Sequence, residues 1–122
     1  MNLAITTRSN GVATVIDVAG AVTLENAPEF LKGLMDVVKE KKPPRAVVNL
    51  TNLISIDSAG VACLVEVLKI SRELKIGFAL FGVNCIGREL LEMTHLTHLL
   101  EVYETEEEAV RSERQASSDA AV

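Results

Sequence analysis

The sequence predicts a single-domain α/β protein, built as one mixed β-sheet with about four packed α-helices. Three observations predict it. Short apolar, β-branched runs at residues 12–18, 45–50 and 78–81 alternate with longer stretches whose apolar residues recur at helical spacing. An Asn10-Gly11 pair between the first two strand-like runs is a hairpin signal, so the sheet opens antiparallel and then continues through right-handed helical crossovers. At 122 residues, 48% hydrophobic but only 3% aromatic and without tryptophan, the chain is long enough for one core and fills it with Val, Leu, Ile and Ala.

Residues 3–7 and 12–18 alternate apolar with polar or small side chains, the period of half-buried strands. Gly20 is expected to end the second of them. Asn26-Ala27-Pro28-Glu29 reads as a helix start: Asn26 caps, Glu29 reaches back, and proline is tolerated in a first turn. Phe30, Leu31, Leu34, Val37 and Val38 then form one face, Lys39-Glu40-Lys41-Lys42 suits a helix C-terminus, and Pro43-Pro44 stops it. The nearly all-apolar run 45–50 is expected to be a buried parallel strand, and 51–57 a connector with Leu53 and Ile56 turned inward. Val61, Leu64, Val65 and Leu68 stand at i, i+3, i+4 and i+7, which predicts a second helix with Gly77 as its terminating glycine. Residues 78–81 form the next buried strand. A third helix fits 86–94, with Ile86, Leu90 and Leu91 inward, and 99–103 is a candidate last strand. Thr105 with Glu108 is a capping-box pattern that opens a closing helix from 106 to about 114. The domain is thus expected to span 1–114, with 115–122, small and polar without periodicity, as a frayed tail.

Composition excludes several functions. A net charge of −5 without a basic cluster argues against nucleic acid and anionic membranes as partners. No apolar run approaches the roughly 18–20 residues that span a bilayer, and the N-terminus lacks the charged start and apolar stretch of a signal peptide. Cys63 and Cys85 make no C-x-x-C pair and read as reduced thiols, which agrees with a cytoplasmic protein. His95 and His98 stand three apart with no Cys, Asp or Glu cluster to complete a metal site. Neither phosphate-cradling glycine pattern occurs, so a small nucleotide-binding or hydrolysing protein has no support. No catalytic constellation, cofactor or metal is expected. A phospho-aspartate receiver role for Asp57 would need an acidic metal-binding pair after the first strand and a lysine ending the last; the chain has Thr6-Thr7 and no lysine in 99–103.

One junction remains, where Val47-Val48-Asn49-Leu50 leads to Ile56-Asp57-Ser58-Ala59-Gly60 and a helical pattern begins. It places a hydroxyl beside a carboxylate at a helix start, where backbone N–H groups lack intrahelical partners and the dipole favours negative charge. Asp57 or Ser58 at that position serves as a cap in the simplest case. Ala59 and Gly60 leave Ser58 sterically open, and a glycine inside a first helical turn costs stability that capping does not explain. A phosphate on Ser58 would meet helix N–H donors and repulsion from Asp57.

Ile56-Asp57-Ser58-Ala59-Gly60 resembles the D-S-[SA]-G signature of the STAS domain, as found in anti-sigma factor antagonists. The resemblance runs over residues 3–112, through the hairpin, the helix after Gly20, the Val47–Leu50 and Phe78–Phe81 strands, the helix at 88–96 and the ending Thr105-Glu106-Glu107-Glu108-Ala109. It departs in Gly60-Val61-Ala62-Cys63, where relatives often carry Gly-Leu-Gly, and in Thr94-His95-Leu96, where many have a glycine-bearing turn. The resemblance implies a partner switch: the unphosphorylated protein binds an anti-sigma factor, a GHKL-type serine kinase, and so frees a sigma factor. That kinase phosphorylates the serine matching Ser58, the complex separates, and a PP2C-type phosphatase resets it. Asp57 matches the motif's acidic residue in the partner interface, which is expected to include Ser58, Ala59, Gly60 and Val61 at the start of the helix, the turn around Ala21 to Glu25 with Thr23, and the loop at Asn52 to Ser55. A stressosome-like scaffold subunit and a STAS accessory subunit of a transport system are the alternative roles.

Overall fold

The computed structural model describes residues 3–83 and 100–111. The described chain runs β1 (Ala4–Asn10), β2 (Ala13–Val22), α1 (Ala27–Asp36), β3 (Arg45–Ile56), α2 (Ser58–Glu73), β4 (Gly77–Phe81), β5 (Glu101–Tyr103) and α3 (Glu106–Arg111). A π-helical turn, Val37–Lys41, continues α1 and ends where Lys42 adopts a left-handed backbone at φ +46°. The five strands lie in the order β1-β2-β3-β4-β5. The β1–β2 pair is antiparallel, turned at Gly11 with φ +63°, and the later pairs are parallel, so the mixed α/β sheet stands as expected. The expected helix at 86–94, Cys85, His95, His98 and the tail lie outside the described residues.

Strand periodicity divides the side chains between two faces. Ile16, Val18, Val48, Leu50 and Leu80 point to the face covered by α1 and α2, where Phe30, Leu34, Leu64 and Val67 complete the main core. Ala13, Val15, Val47, Ala79 and Phe81 point to the other face and pack on Ala109 of α3. Leu53 and Ile56 are buried, as their pattern suggested. The α2 stripe is shifted: Val67 is fully buried while Val65 is only half-buried.

Three expected boundaries need correction. Gly20 does not end β2; it sits inside the strand at φ +103°, and β2 continues to Val22. The stretch 51–57 is not a connector, because β3 runs for 12 residues to Ile56, with Ala19 opposite Asn52, Gly20 opposite Leu53, Ala21 opposite Ser55 and Val22 opposite Ile56. The polar Thr51-Asn52 pair hid this extension from a propensity reading. Gly77 does not terminate α2 either: Lys75, at φ +61°, takes the left-handed position, and Gly77 opens β4. A Cβ on Gly77 would stand 2.7 Å from Nη1 of Arg45, so the glycine makes room for a guanidinium.

Polar bonds hold α3 on its face. Arg8 of β1 pairs with Asp17 of β2 at 2.7 Å and with Glu106 of α3 at 2.6 Å, and Asn10 and Asn49 add hydrogen bonds to the two carboxylates. The Arg8 hydrogen bonds hold both carboxyls below their ordinary pKa, and the two anions raise that of Arg8. Groups with lowered pKa stabilise the fold fully above the unfolded carboxylate value of about 4 and lose that contribution as pH falls through the folded value. Amide hydrogen exchange in α3 is therefore expected to lose protection below about pH 4 relative to β3. Equal protection of α3 and β3 down to global unfolding would contradict this.

Candidate functional site

β3 ends at Ile56, and Asp57 continues its ladder for one more bond, its N–H donating to Val22 O at 3.1 Å. Asp57 keeps an extended backbone and caps α2: Oδ1 accepts from the N–H groups of Ala59 at 3.0 Å and Gly60 at 3.3 Å. Its other oxygen, Oδ2, accepts from Leu24 N–H at 3.0 Å. One carboxylate thus joins the end of β3, the start of α2 and the β2–α1 loop. The Ala59 N–H of the helix start is satisfied this way, and the Gly60 N–H shares the carboxylate with the Asp57 carbonyl, to which it also donates at 3.0 Å.

Ser58 is the first residue of α2 and is exposed. Its hydroxyl has no hydrogen-bond partner among the described residues. Asp57 does the capping, and among the described residues nothing engages the Ser58 oxygen.

Gly60 has a different reason to be glycine than steric openness. It is buried, and a Cβ there would stand 2.5 Å from Cγ1 of Ile56 and 2.8 Å from Cγ1 of Val22. The glycine lets the first turn of α2 lie close against the ends of β2 and β3. Gly60→Ala is therefore expected to destabilise by about 1–3 kcal/mol through overpacking, despite alanine's better helix propensity. Thermal or urea unfolding checks this, and an unchanged or raised midpoint would contradict it.

The β2–α1 loop is braced by Asn26. Rather than capping α1, its Oδ1 accepts from Thr23 N–H at 2.8 Å, its Nδ2 donates to Ala21 O at 2.8 Å, and its N–H donates to Thr23 O at 3.1 Å. The expected interface residues separate by burial. Asp57, Ser58 and Asn52 are exposed, and Thr23, Ser55 and Ala59 are half-buried. Ala21, Gly60 and Val61 are buried beneath these residues. Asn52 and Ser55 stand on the β3 extension, not on a loop.

Leu24 and Ile54 fall inside the expected interface segments, Ala21 to Glu25 and Asn52 to Ser55, and are exposed large apolar side chains, 76% and 53% accessible, at this end of the sheet. Nothing in the hydrophobic pattern marks them, since Ile54 lies in an apolar run and its exposure depends on the register of β3. Cys63 is buried on α2, 3.5 Å from Ala27 O; burial first, then the charges of Asp57 and Glu66, push its thiol pKa up, which disfavours the thiolate. Among the described residues no group of three or more His, Cys, Asp or Glu side chains is placed to hold a metal.

The sequence model of the STAS domain family matches residues 4–109. The chain belongs to the STAS domain family. The STAS domain is similar in structure to an anti-sigma factor antagonist from Mycobacterium paratuberculosis, at 20% identity and a TM-score of 0.79, covering 89% of this chain and 92% of that one. A candidate anti-sigma factor antagonist from Thermotoga maritima gives 24% identity and a TM-score of 0.80, with 87% and 91% covered. A sulfate transporter family protein from Wolinella succinogenes gives 20% identity and 0.69, with 82% and 83% covered. The same STAS fold thus serves more than one setting. No described helix of this STAS domain is long and apolar enough to cross a membrane.

Proposed function

We propose that this STAS domain is an anti-sigma factor antagonist that binds an anti-sigma serine kinase of the GHKL type and is released when that kinase phosphorylates Ser58. The observation that carries the reading is the division of labour at the α2 start: Asp57 takes the cap, and the Ser58 hydroxyl is left exposed and unbonded among the described residues. The solved relatives named as anti-sigma factor antagonists support it at the level of fold. The domain acts as a regulator, with ATP and Mg²⁺ belonging to the kinase and a PP2C-type phosphatase restoring the hydroxyl. Its net charge of −5, with no run of basic residues in the sequence, suits a cytoplasmic protein partner rather than nucleic acid or membrane.

A phosphate brings about −1.5 to −2 charges at pH 7. On Ser58 it adds to the Asp57 carboxylate and must be desolvated wherever a partner covers the α2 start. Incubation with the kinase and ATP is expected to place one phosphate on the wild type and none on Ser58→Ala, which still binds. Labelling that survives Ser58→Ala would overturn the acceptor assignment. The likeness to the Wolinella protein supports a second reading, an accessory role in transport. A permease gene beside this one, in place of kinase and sigma-factor genes, would favour it.

A further inference from the structure

We infer that Leu24 and Ile54 are the apolar anchors by which the unphosphorylated domain grips the kinase. The inference rests on the proposed partner switch and concerns what supplies its affinity. Each residue is held out by a specific device. Opposite Gly20 and Ala21, β3 offers Leu53 and Ser55, so Ile54 is the extra residue of a β-bulge and has no counterpart on β2. Bulges re-aim a side chain, and this one leaves Ile54 half in water between the buried Leu53 and the half-buried Ser55. Leu24 sits in a loop fixed by the Asn26 bonds to Ala21 and Thr23 and by the Asp57 carboxylate on Leu24's own N–H. A loop held this firmly could fold its leucine onto the core, yet the side chain is exposed.

Rigid presentation lowers the ordering cost of binding, and apolar side chains fixed beside a reactive group suit a partner that must reach that group. Leu24 is tied to Asp57, Ile54 precedes it by three residues, and Ser58 follows it. A kinase whose active site reaches the Ser58 oxygen has to cover this corner, so the occupant is the apolar surface around that active site. A phosphate on Ser58 then sits at the edge of apolar contacts, where its desolvation is most costly. Val12, 70% accessible, lies in the hairpin turn at the opposite end of β2 and serves as a control.

The test takes the GHKL-type serine kinases of the same cell and titrates them, with ADP bound, against the purified chain. Leu24→Ala and Ile54→Ala are each expected to bind at least tenfold more weakly, with unchanged melting temperature, while Val12→Ala binds as the wild type does. In phosphorylation kinetics both variants should raise KM and leave kcat unaltered, because the lost contacts serve ground state and transition state alike. The conservative Leu24→Met and Ile54→Val variants should recover most of the affinity. Wild-type affinity and KM in both alanine variants, with Ser58 still labelled, would overturn the anchors and leave the switch standing. If none of the kinases binds or labels the chain, anchors and switch fall together.

Discussion

Phosphorylation of Ser58 is expected to weaken kinase binding by about a hundredfold or more while leaving the melting temperature within a few degrees of the unmodified protein. The two halves of this result have separate causes. Within the domain, the phosphate sits at the first position of α2, where the helix dipole favours it, typically by about 0.3–1 kcal/mol. The neighbouring Asp57 carboxylate opposes it by a comparable surface-screened amount, so the fold barely responds. In the complex the same charge is stripped of water against a partner, and every 1.4 kcal/mol of penalty is tenfold in affinity, so about 2.7 kcal/mol suffices for the expected change. Ser58→Asp should show a smaller loss in the same direction. Calorimetric titration and thermal unfolding on the same samples check both halves. A large fall in melting temperature would mean that the phosphate acts by disrupting α2 rather than by repelling a partner.

The largest stability effect is expected at the other end of the same strand. Arg45 opens β3 and is only 4% accessible, with Nε donating to Ala109 O at 2.7 Å and Nη2 to Glu101 Oε1 at 2.9 Å. Tyr103 donates its hydroxyl to the same Glu101 oxygen at 2.9 Å. The guanidinium therefore joins β3, β5 and α3. Arg45→Ala strands the Glu101 carboxylate and the Ala109 carbonyl under cover, at a cost of about 3–5 kcal/mol. For a domain of this size, that lowers the melting temperature by on the order of 15 °C. Arg45→Met with Glu101→Leu removes both charges at similar volume and is expected to regain most of the loss, because a buried ion pair repays little more than its own desolvation. Arg45→Ala destabilised by less than about 1 kcal/mol would show that the guanidinium is not what joins these elements. Folded Arg45→Ala should still bind the kinase, since Ser58 lies beyond the far end of β3.

Most of the architecture was legible because it rests on local signals. Asn10-Gly11 marked the hairpin, Pro43-Pro44 marked the stop after α1, and the apolar spacing on α1 and α2 marked which faces go inward. What escaped depends on register and on long-range packing. The β3 extension carries polar Thr51 and Asn52 and is a strand because β2 continues beside it through Gly20. Arg45 was read only as the start of the apolar run 45–50, and its burial follows from α3 and β5 closing over it, two elements that begin more than 50 residues later. Gly77 and Gly60 were given local reasons, a helix stop and an open serine, when each is a close approach: to Arg45 in one case and to Ile56 and Val22 in the other. At the site, Asp57-Ser58 was visible as a motif, but only the geometry divided the pair into a cap and a free hydroxyl. Leu24 and Ile54 lay in segments expected at the interface, but their exposure was not legible, because a bulge and a braced loop, rather than periodicity, hold them out.

The central claim is a switch between partners, and competition measures it directly. A fluorescently labelled sigma factor is bound to the cognate anti-sigma kinase, and the domain is added with Ser58 either free or phosphorylated. The expected result is that the unphosphorylated domain releases the sigma factor and the phosphorylated domain leaves it bound. Equal release by both forms, or release by neither, would contradict the account.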